Sequence, residues 1–308
     1  MNPTMRRIVP VAVIGAAVAA VGAGLSQSGN QPIRPKEGSM QARVVLITGS
    51  TDGLGRELAL RVGALGAHVI VHGRNRERGQ AVVDTISREG KGSARFYAAD
   101  FGSLAEVRRF ADEILRDYPM LHVLVNNAGI WVNDGERRVS ADGHELHFAV
   151  NYLSSFLLTR LLLPRLTESA PSRIINVASG AQSPIDFGDV MLERPGRTAH
   201  GYAQSKLAQI LFTVDLAGEL KGRDVIVAAL HPATLMNTTM VRESGLPAQS
   251  TIDEGADAVM NLIVGTGIES GQYFEGLRRA RAHRQAYDSA ARERLRQLSL
   301  ELTGLPRP

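Results

Sequence analysis

From Met40 onward, short apolar runs alternate with longer segments in which apolar residues recur every three or four positions. The short runs predict β-strands and the longer segments predict amphipathic helices. The predicted strands are Val44–Thr48, His68–His72, Arg95–Ala99, His122–Asn126, Arg173–Ala178, Asp224–Leu230 and Gln272–Phe274. The predicted helices between them are Leu54–Leu65, Arg76–Arg88, Leu104–Tyr118, His144–Leu166, Tyr202–Leu220 and Asp253–Val264.

This alternation of strands and helices indicates an α/β fold. Near-continuous apolar strands are typical of a parallel sheet that is covered by helices on both faces. Right-handed crossovers wind such a sheet in two directions from its middle. We therefore expect a single domain at residues 40–308, built on a doubly wound, seven-stranded, mostly parallel sheet.

The N-terminal segment, residues 1–39, differs from the rest of the chain. Residues 8–25 carry no charge and are rich in Ala and Gly. Three interpretations stay open: a short membrane anchor, a signal peptide that starts with Arg6 and Arg7, or a chain whose translation begins at Met40. In the first two interpretations a polar linker separates the segment from the domain.

Composition excludes several classes of protein. The chain has 308 residues, a net charge of +4 and no cysteine, which excludes disulfides, thiolate catalysis and cysteine-ligated metals. No group of His, Asp and Glu has metal-binding spacing, so no catalytic metal is predicted. Basic runs interleaved with aromatic residues are missing from the sequence, so nucleic acid is not an expected partner. The arginine-rich residues 278–296 are interpreted as a solvated face.

A glycine-rich turn, "TGSTDGLG" at residues 48–55, follows the first predicted strand. Such a turn before a helix brings backbone N–H groups against a pyrophosphate, although a tight loop is the alternative. After the second strand, Arg74 stands where an acidic residue would bind a ribose 2′-OH. An arginine suits a 2′-phosphate, so NADP is favoured over NAD. The alternative is that Arg74 and Arg76 are merely solvated.

Tyr202 and Lys206 lie four residues apart on a predicted helix, and therefore on one face of it. An ammonium beside a phenol favours the phenolate, so we expect Lys206 to lower the pKa of Tyr202. Ser179 follows a predicted strand and can polarise a substrate carbonyl. Alone, the Tyr–Lys pair is an ordinary surface pair. Together with Ser179 and the glycine-rich turn, it predicts acid–base catalysis by Tyr202.

Together these features resemble the short-chain dehydrogenase/reductase superfamily. The resemblance spans residues 42–308 and includes the TGxxxGxG turn, Asp100, "NNAG" at residues 126–129, Asn151, Ser179, Tyr202 and Lys206. The stretches "YAQSKLAQILFT", "LHP" and "GQYF", and the long insert between Ser179 and Tyr202, are similar to the retinol-dehydrogenase-like branch. The resemblance implies a Rossmann sheet and an NADP-dependent oxidoreductase that acts on a carbonyl or an alcohol.

The resemblance also implies roles for particular residues. The catalytic set is Ser179 on the substrate oxygen, Tyr202 as acid–base, Lys206 on the nicotinamide ribose and Asn151 supporting a proton-relay water. The implied cofactor-binding residues are Gly49, Ser50, Thr51, Asp52, Gly53, Leu54, Gly55, Arg74, Asp100, Phe101, Asn127, Ala128, Gly129, Tyr202, Lys206, Pro232 and Thr234. Among these, the three glycines of the turn border the pyrophosphate, Asp100 contacts adenine and Asn127 lies by the adenosine ribose.

Some of these positions have simpler interpretations. Asp100 could be the N-cap of the next helix, and Asn151 could mark a bend in its own helix. His231 is interpreted as shaping the backbone rather than as a base. Ala233 follows Pro232 where the family commonly has Pro-Gly, and a Cβ there restricts the turn.

The predicted pocket is lined by Trp131, residues 185–187 and residues 234–241, which favours a lipophilic aldehyde, ketone or alcohol. The alternative function is an NADP-sensing module without turnover, but the complete catalytic set favours an enzyme. The oligomeric state stays open. We expect the domain on the cytoplasmic side, tethered if residues 8–25 form an anchor.

Overall fold

The strands of the computed structural model lie close to the predicted runs. The structure describes residues 31–132 and 134–307. The strands are β1 Val44–Ile47, β2 His68–Gly73, β3 Ser93–Ala98, β4 Val123–Asn126, β5 Ser172–Val177, β6 Val225–His231, β7 Tyr273–Glu275 and β8 Arg278–Ala280. They form one sheet in the order β3-β2-β1-β4-β5-β6-β7-β8. The predicted doubly wound α/β fold is therefore confirmed.

The sheet has eight strands where seven were predicted. The seven predicted strands pair in parallel, and β8 pairs antiparallel with β7. This edge strand has the sequence Arg-Arg-Ala and carries no apolar run that periodicity could detect. Charged residues on an edge strand discourage further pairing, which explains its composition.

Helices cover both faces of this sheet. They are α1 Gly53–Ala64, α2 Arg76–Glu89, α3 Leu104–Asp117, α4 Ser154–Glu168, α5 Gly201–Glu219, α6 Thr239–Glu243, α7 Ile252–Val264 and α8 Ser289–Thr303. One apolar core lies between the sheet and α1, α2 and α7, and a second lies beneath α3, α4 and α5. No helix in the described part of the chain is long and apolar enough to cross a membrane.

Two features of the helical layers differ from the predictions. The helix expected at His144–Leu166 contains a π-helical segment, Phe148–Leu153, before α4 begins. The C-terminal helix α8 packs on α5, where Arg296 forms a salt bridge with Asp215 at 3.0 Å. The arginine-rich end is therefore partly a packed helix and not only a solvated face. The predictions for residues 1–30 lie outside the described residues.

Candidate active site

The candidate site lies at the carboxyl ends of the central strands. β1 is flanked by β2 and β4, so the chain winds away from it in both directions. The crevice at such a switch point is where doubly wound sheets bind ligands. The glycine-rich turn after β1, the "NNAG" residues after β4 and Ser179 after β5 all lie at this edge.

The glycine-rich turn is folded too tightly for larger residues. Gly49 has a φ of +63°, and a Cβ built there would lie 2.9 Å from Ala128 Cα. A Cβ on Gly55 would lie 2.2 Å from the Gly49 carbonyl oxygen. Asn127 braces the loop, because its Nδ2 donates to Thr48 O at 2.8 Å and to Gly49 O at 3.2 Å. The loop thus leads into the N-terminus of α1, a favourable place for a phosphate.

Several predicted cofactor residues have side chains that face the protein interior. Ser50 Oγ donates to Ile47 O at 2.7 Å, and Leu54 is buried in the core beneath α1. Phe101 is buried against His72, with ring centroids 4.1 Å apart. Asn127 Nδ2 is bonded to two loop carbonyls rather than free for a ribose. Ser50, Leu54 and Phe101 can therefore reach a ligand mainly through their backbone.

Asp52 is the N-cap of α1 and joins three segments. Its carboxylate accepts hydrogen bonds from Gly53 N at 2.7 Å, from Arg78 at 3.2 Å and from the Thr239 hydroxyl at 2.8 Å. Thr51 lies on the other side of the turn, beside Gly73, where a Cβ would lie 2.6 Å from Thr51 Cγ2. Asp52 therefore links the glycine-rich turn to α2 and to α6 through hydrogen bonds.

The adenosine side of the crevice contains Arg74 and Asp100. Arg74 is exposed after β2 and has no carboxylate partner within residues 31–132 and 134–307. Asp100 is not a helix cap, because Ser103 caps α3 and accepts from Glu106 N. Asp100 Oδ1 instead accepts from Gly102 N at 2.9 Å. Arg78, which sequence reasoning missed, adds a second cation at this end.

His72 is a further residue that the sequence analysis missed. Its Nδ1 accepts a hydrogen bond from Gly49 N at 3.1 Å, and its ring is buried against Phe101 and Phe110. Burial lowers the pKa of His72 to about 3, so the ring is neutral at physiological pH. A neutral imidazole can keep accepting a hydrogen bond from Gly49 N, and His72 therefore fixes the position of the glycine-rich turn.

The four predicted catalytic residues lie together at this edge. Ser179 follows β5, where its hydroxyl accepts a hydrogen bond from Ala181 N at 3.1 Å and acts to lower the pKa of the nearby Tyr202. Lys206 Nζ lies 5.8 Å from the Tyr202 ring centroid. Asn151, in the π-helical segment, accepts from Ile130 N at 2.8 Å and donates to Ser205 Oγ at 2.9 Å. A π-helical turn is frequent at functional sites, and here it turns Asn151 toward the cleft-forming loop after β4.

The protonation of the Tyr–Lys pair differs from the prediction. Burial raises the pKa of Tyr202, while the Ser179 hydrogen bond acts in the opposite direction and is smaller. Burial also lowers the pKa of Lys206 to about 7. Burial therefore acts on both groups in this structure, and it opposes the lowering of the Tyr202 pKa that was expected from Lys206.

A buried Glu–His pair, also missed from sequence, packs against Tyr202. His147 Nδ1 lies 2.8 Å from Glu145 Oε1, and its Nε2 accepts from Val132 N at 3.0 Å. The His147 ring packs edge-on against Tyr202, and the Trp131 ring lies 5.7 Å from Tyr202. The pair thus fixes the loop that places Trp131 over Tyr202. The spacing of His147, one turn before Asn151, is the signal that could have identified it.

The predicted pocket is only partly formed by the expected residues. Trp131 lies beside Tyr202, as expected. Ile185, in contrast, is buried in the core and its backbone is hydrogen-bonded by Gln285. Met236 packs against α7, where a Cβ on Gly255 would lie 2.2 Å from its sulfur. Ile185 is therefore part of the core, and the sulfur of the half-buried Met236 packs against α7.

In the segment after β6, Ala233 follows Pro232 without backbone strain. Ala233 has no positive φ, and the left-handed residue of this turn is Leu235, with a φ of 45°. His231 Nε2 lies 3.0 Å from the Thr234 hydroxyl, which agrees with the interpretation that His231 shapes the backbone. Pro232 is buried and Thr234 is exposed at the mouth of the cleft.

The residues present fit a nicotinamide dinucleotide. The glycine loop excludes Cβ atoms and leads into a helix N-terminus, as a pyrophosphate requires. Gly129 leaves space at the catalytic end, since a Cβ there would lie 3.2 Å from Asn151 Oδ1 and 3.4 Å from Lys206 Nζ. Within the described residues, no group of three or more metal-ligating side chains comes together.

Comparisons with known proteins agree with this geometry. The short chain dehydrogenase family model matches residues 43–248. Human retinol dehydrogenase 12 is 35% identical over 280 residues, with 86% of this chain and 88% of the relative covered. Human retinol dehydrogenase 14 is 34% identical over 335 residues, with 96% and 99% covered.

Solved structures show the same fold. A protein from Mycobacterium paratuberculosis has a TM-score of 0.74 at 30% identity, covering 88% of this chain and 96% of that chain. A short chain dehydrogenase from Escherichia coli complexed with NADPH has a TM-score of 0.66 at 26% identity, covering 79% and 100%. The chain therefore belongs to the short-chain dehydrogenase/reductase family of oxidoreductases, in its retinol-dehydrogenase-like branch.

Proposed function

We propose that the protein is an NADP-dependent carbonyl reductase or alcohol dehydrogenase that acts on a lipophilic substrate, with Tyr202 as the acid–base. The observation that carries this proposal is the grouping of Ser179, Tyr202 and Lys206 beside a glycine loop that fits a pyrophosphate. A binding module has no need of this acid–base set.

The protonation of the site suits reduction. Burial raises the pKa of Tyr202, so the phenol keeps its proton at neutral pH and can donate it to a developing alkoxide. The Ser179 hydroxyl polarises the carbonyl oxygen. Lys206 Nζ donates a hydrogen bond to Val177 O at 2.9 Å, which fixes the ammonium near the phenol. NADPH, when bound, supplies the hydride.

Two arginines support NADP over NAD. Arg74 is exposed and free of carboxylate partners in the described chain, and Arg78 lies on the first turn of α2 with Asp52 as its partner. A guanidinium can bind a 2′-phosphate through two charge-assisted hydrogen bonds. The solved relative from Escherichia coli is complexed with NADPH, which is consistent with this choice.

The substrate class is inferred from the cleft and the relatives. Trp131 forms an apolar wall over Tyr202, and the relatives named above are retinol dehydrogenases. Apolar walls with a few polar groups are typical of sites for lipophilic ligands. We therefore propose a lipophilic aldehyde, ketone or alcohol as the substrate.

The test is oxidation of NADPH by the full chain at pH 7 against short and long aldehydes and ketones. We expect turnover with long apolar carbonyls, its loss in Tyr202→Phe, and weaker discrimination between NADPH and NADH in Arg74→Ala. Full turnover in Tyr202→Phe would refute the mechanism. Tight NADPH binding without turnover of any carbonyl or alcohol would favour the alternative, an NADP-sensing module.

We also propose that the domain lies on the cytoplasmic side, where NADPH is available, and that residues 8–25 tether it if they form an anchor. Arg34, Lys36 and Arg43 follow that segment and agree with this orientation. Cell fractionation with protease protection tests the proposal. Recovery of a processed chain outside the cytoplasm would overturn it.

A further inference from the structure

Gln209 lies one turn after Lys206 on α5 and is completely buried. Its Oε1 accepts a hydrogen bond from Lys206 Nζ at 3.1 Å. Lys206 also donates to Val177 O at 2.9 Å. An ammonium has three N–H donors, so these two contacts leave one donor for the cleft, where Gly129 keeps space in front of Nζ.

The other end of the Gln209 amide is unusual. Its Nε2 is buried and has no hydrogen-bond partner among the described residues. An unpartnered buried N–H destabilises a fold, so stability alone would favour an apolar side chain of the same size. The amide orientation follows from chemistry, because only its oxygen can face an ammonium. The function of the Gln209 side chain is therefore to supply an acceptor to Lys206.

The surroundings of Lys206 are uncharged on every side. Tyr202 faces it from α5, the Val177 carbonyl from β5 and Asn151 from the π-helical segment. Burial lowers the pKa of Lys206 to about 7, and no carboxylate of the described chain opposes this shift. The amide of Gln209 is therefore the side chain through which the charge on Lys206 can be adjusted.

We propose that Gln209 is a positioning residue, which holds the Lys206 ammonium through a neutral acceptor and thereby sets the upper end of the pH range of turnover. The inference rests on the proposed function. The Lys206 ammonium is lost as the pH rises, so turnover falls on the alkaline side. A neutral acceptor places this fall at lower pH than a carboxylate would.

Lys206 can be observed directly, because the chain has only four lysines and the other three, Lys36, Lys91 and Lys221, are exposed. The full chain is labelled with 13Cε-lysine, and the signal that disappears in Lys206→Arg identifies Lys206. Gln209→Glu keeps the size and adds a charge, so the titration midpoint is expected to rise by about one pH unit or more. Gln209→Met removes the acceptor and is expected to lower the midpoint.

Gln204→Met is the matched control. Gln204 is also buried on α5, but its Nε2 donates to Val190 O at 2.7 Å and does not contact Lys206. Its replacement is expected to leave the Lys206 midpoint unchanged. Melting temperatures with NADPH establish that each variant is folded. If Gln209→Met does not fold, the isosteric Gln209→Glu decides the question alone.

The second measurement is the pH profile of kcat/KM at saturating NADPH. Its alkaline limb is expected to move with the Lys206 midpoint, upward in Gln209→Glu and downward in Gln209→Met. Lys206 midpoints within about 0.3 pH unit of the native value in the folded Gln209 variants would overturn the proposal. A shift that small would mean that the acceptor does not affect the protonation of Lys206. An alkaline limb of kcat/KM that does not move with the Lys206 titration midpoint would also overturn the proposal. If the native chain turns over no carbonyl, the proposed function fails, while the titration still tests the contact.

Discussion

Replacement of Gly55 by alanine tests whether the glycine-rich turn is the phosphate cradle. An added Cβ would lie 2.2 Å from Gly49 O and 2.5 Å from Asn127 Nδ2. Real Cβ atoms essentially never come closer than 3.0 Å to such atoms. Neither obstacle is the end of a flexible side chain, because one is backbone and the other is an amide held by two hydrogen bonds. The loop therefore has to move.

The size of the effect follows from the contacts that this movement breaks. The two Asn127 hydrogen bonds contribute about 1 kcal/mol each, so the free energy of unfolding is expected to fall by about 2 kcal/mol. The displaced loop also misaligns its N–H groups with a phosphate, and charge-assisted hydrogen bonds are worth about 1.5–3 kcal/mol each. Loss of about 3 kcal/mol corresponds to a roughly 100-fold or larger rise in the Kd for NADPH.

The assay is NADPH binding by fluorescence titration, together with urea unfolding of the same variants. Gly218→Ala is the matched control, because a Cβ on this residue of α5 meets nothing within 4 Å. An alanine in a helix is favoured over glycine by about 0.5–1 kcal/mol, so the control is expected to be as stable as the native chain or more so. A Gly55→Ala variant that binds NADPH within about threefold of the native Kd would refute the reasoning.

Three further predictions concern other parts of the fold. His72 has a pKa of about 3 in the fold against 6.5 when free, so between these pH values the unfolded chain binds one more proton than the folded chain. The free energy of unfolding, measured with urea, should therefore fall by about 1.4 kcal/mol for each pH unit as the pH drops. An equal slope in His72→Gln would argue against this. His147→Leu leaves Val132 N without its acceptor, and steady-state kinetics should show kcat/KM reduced about tenfold with the NADPH Kd unchanged, a defect that His147→Gln should largely avoid. Asp288→Ala removes the N-cap of α8 and should cost about 1 kcal/mol in chemical denaturation; an unchanged midpoint would show that the cap contributes nothing.

The parts of the molecule that were predictable are those encoded by local spacing. The central strands β1, β4, β5 and β6 are largely apolar runs, and a buried parallel strand must be such a run wherever it occurs. The glycine-rich turn and the Tyr202–Lys206 pair are also local patterns, because a tight turn and one helical turn each involve only a few consecutive residues. The structure places both at the same edge of the sheet.

The parts that were not predictable depend on long-range packing. Ile185 was expected to line the pocket, yet it is buried in the core, since whether an apolar side chain faces a cleft or a core is decided by distant partners such as Gln285. Gln209 and His147 had a local signal, because each lies one helical turn from a predicted catalytic residue. Their hydrogen-bond partners, however, could not be identified from spacing.

The protonation of the catalytic pair shows most clearly why the sequence was insufficient. Spacing shows that an ammonium and a phenol are neighbours, and neighbouring charges alone would lower the pKa of Tyr202. Burial acts on the two groups separately, and it raises the pKa of Tyr202 and lowers that of Lys206, so that both lose charge. Because the two shifts bring the pKa values of the pair further apart, the neutral phenol persists above the pH at which the ammonium is lost. We therefore expect Lys206, and the acceptor that Gln209 supplies to it, to limit the pH range of the site before Tyr202 does.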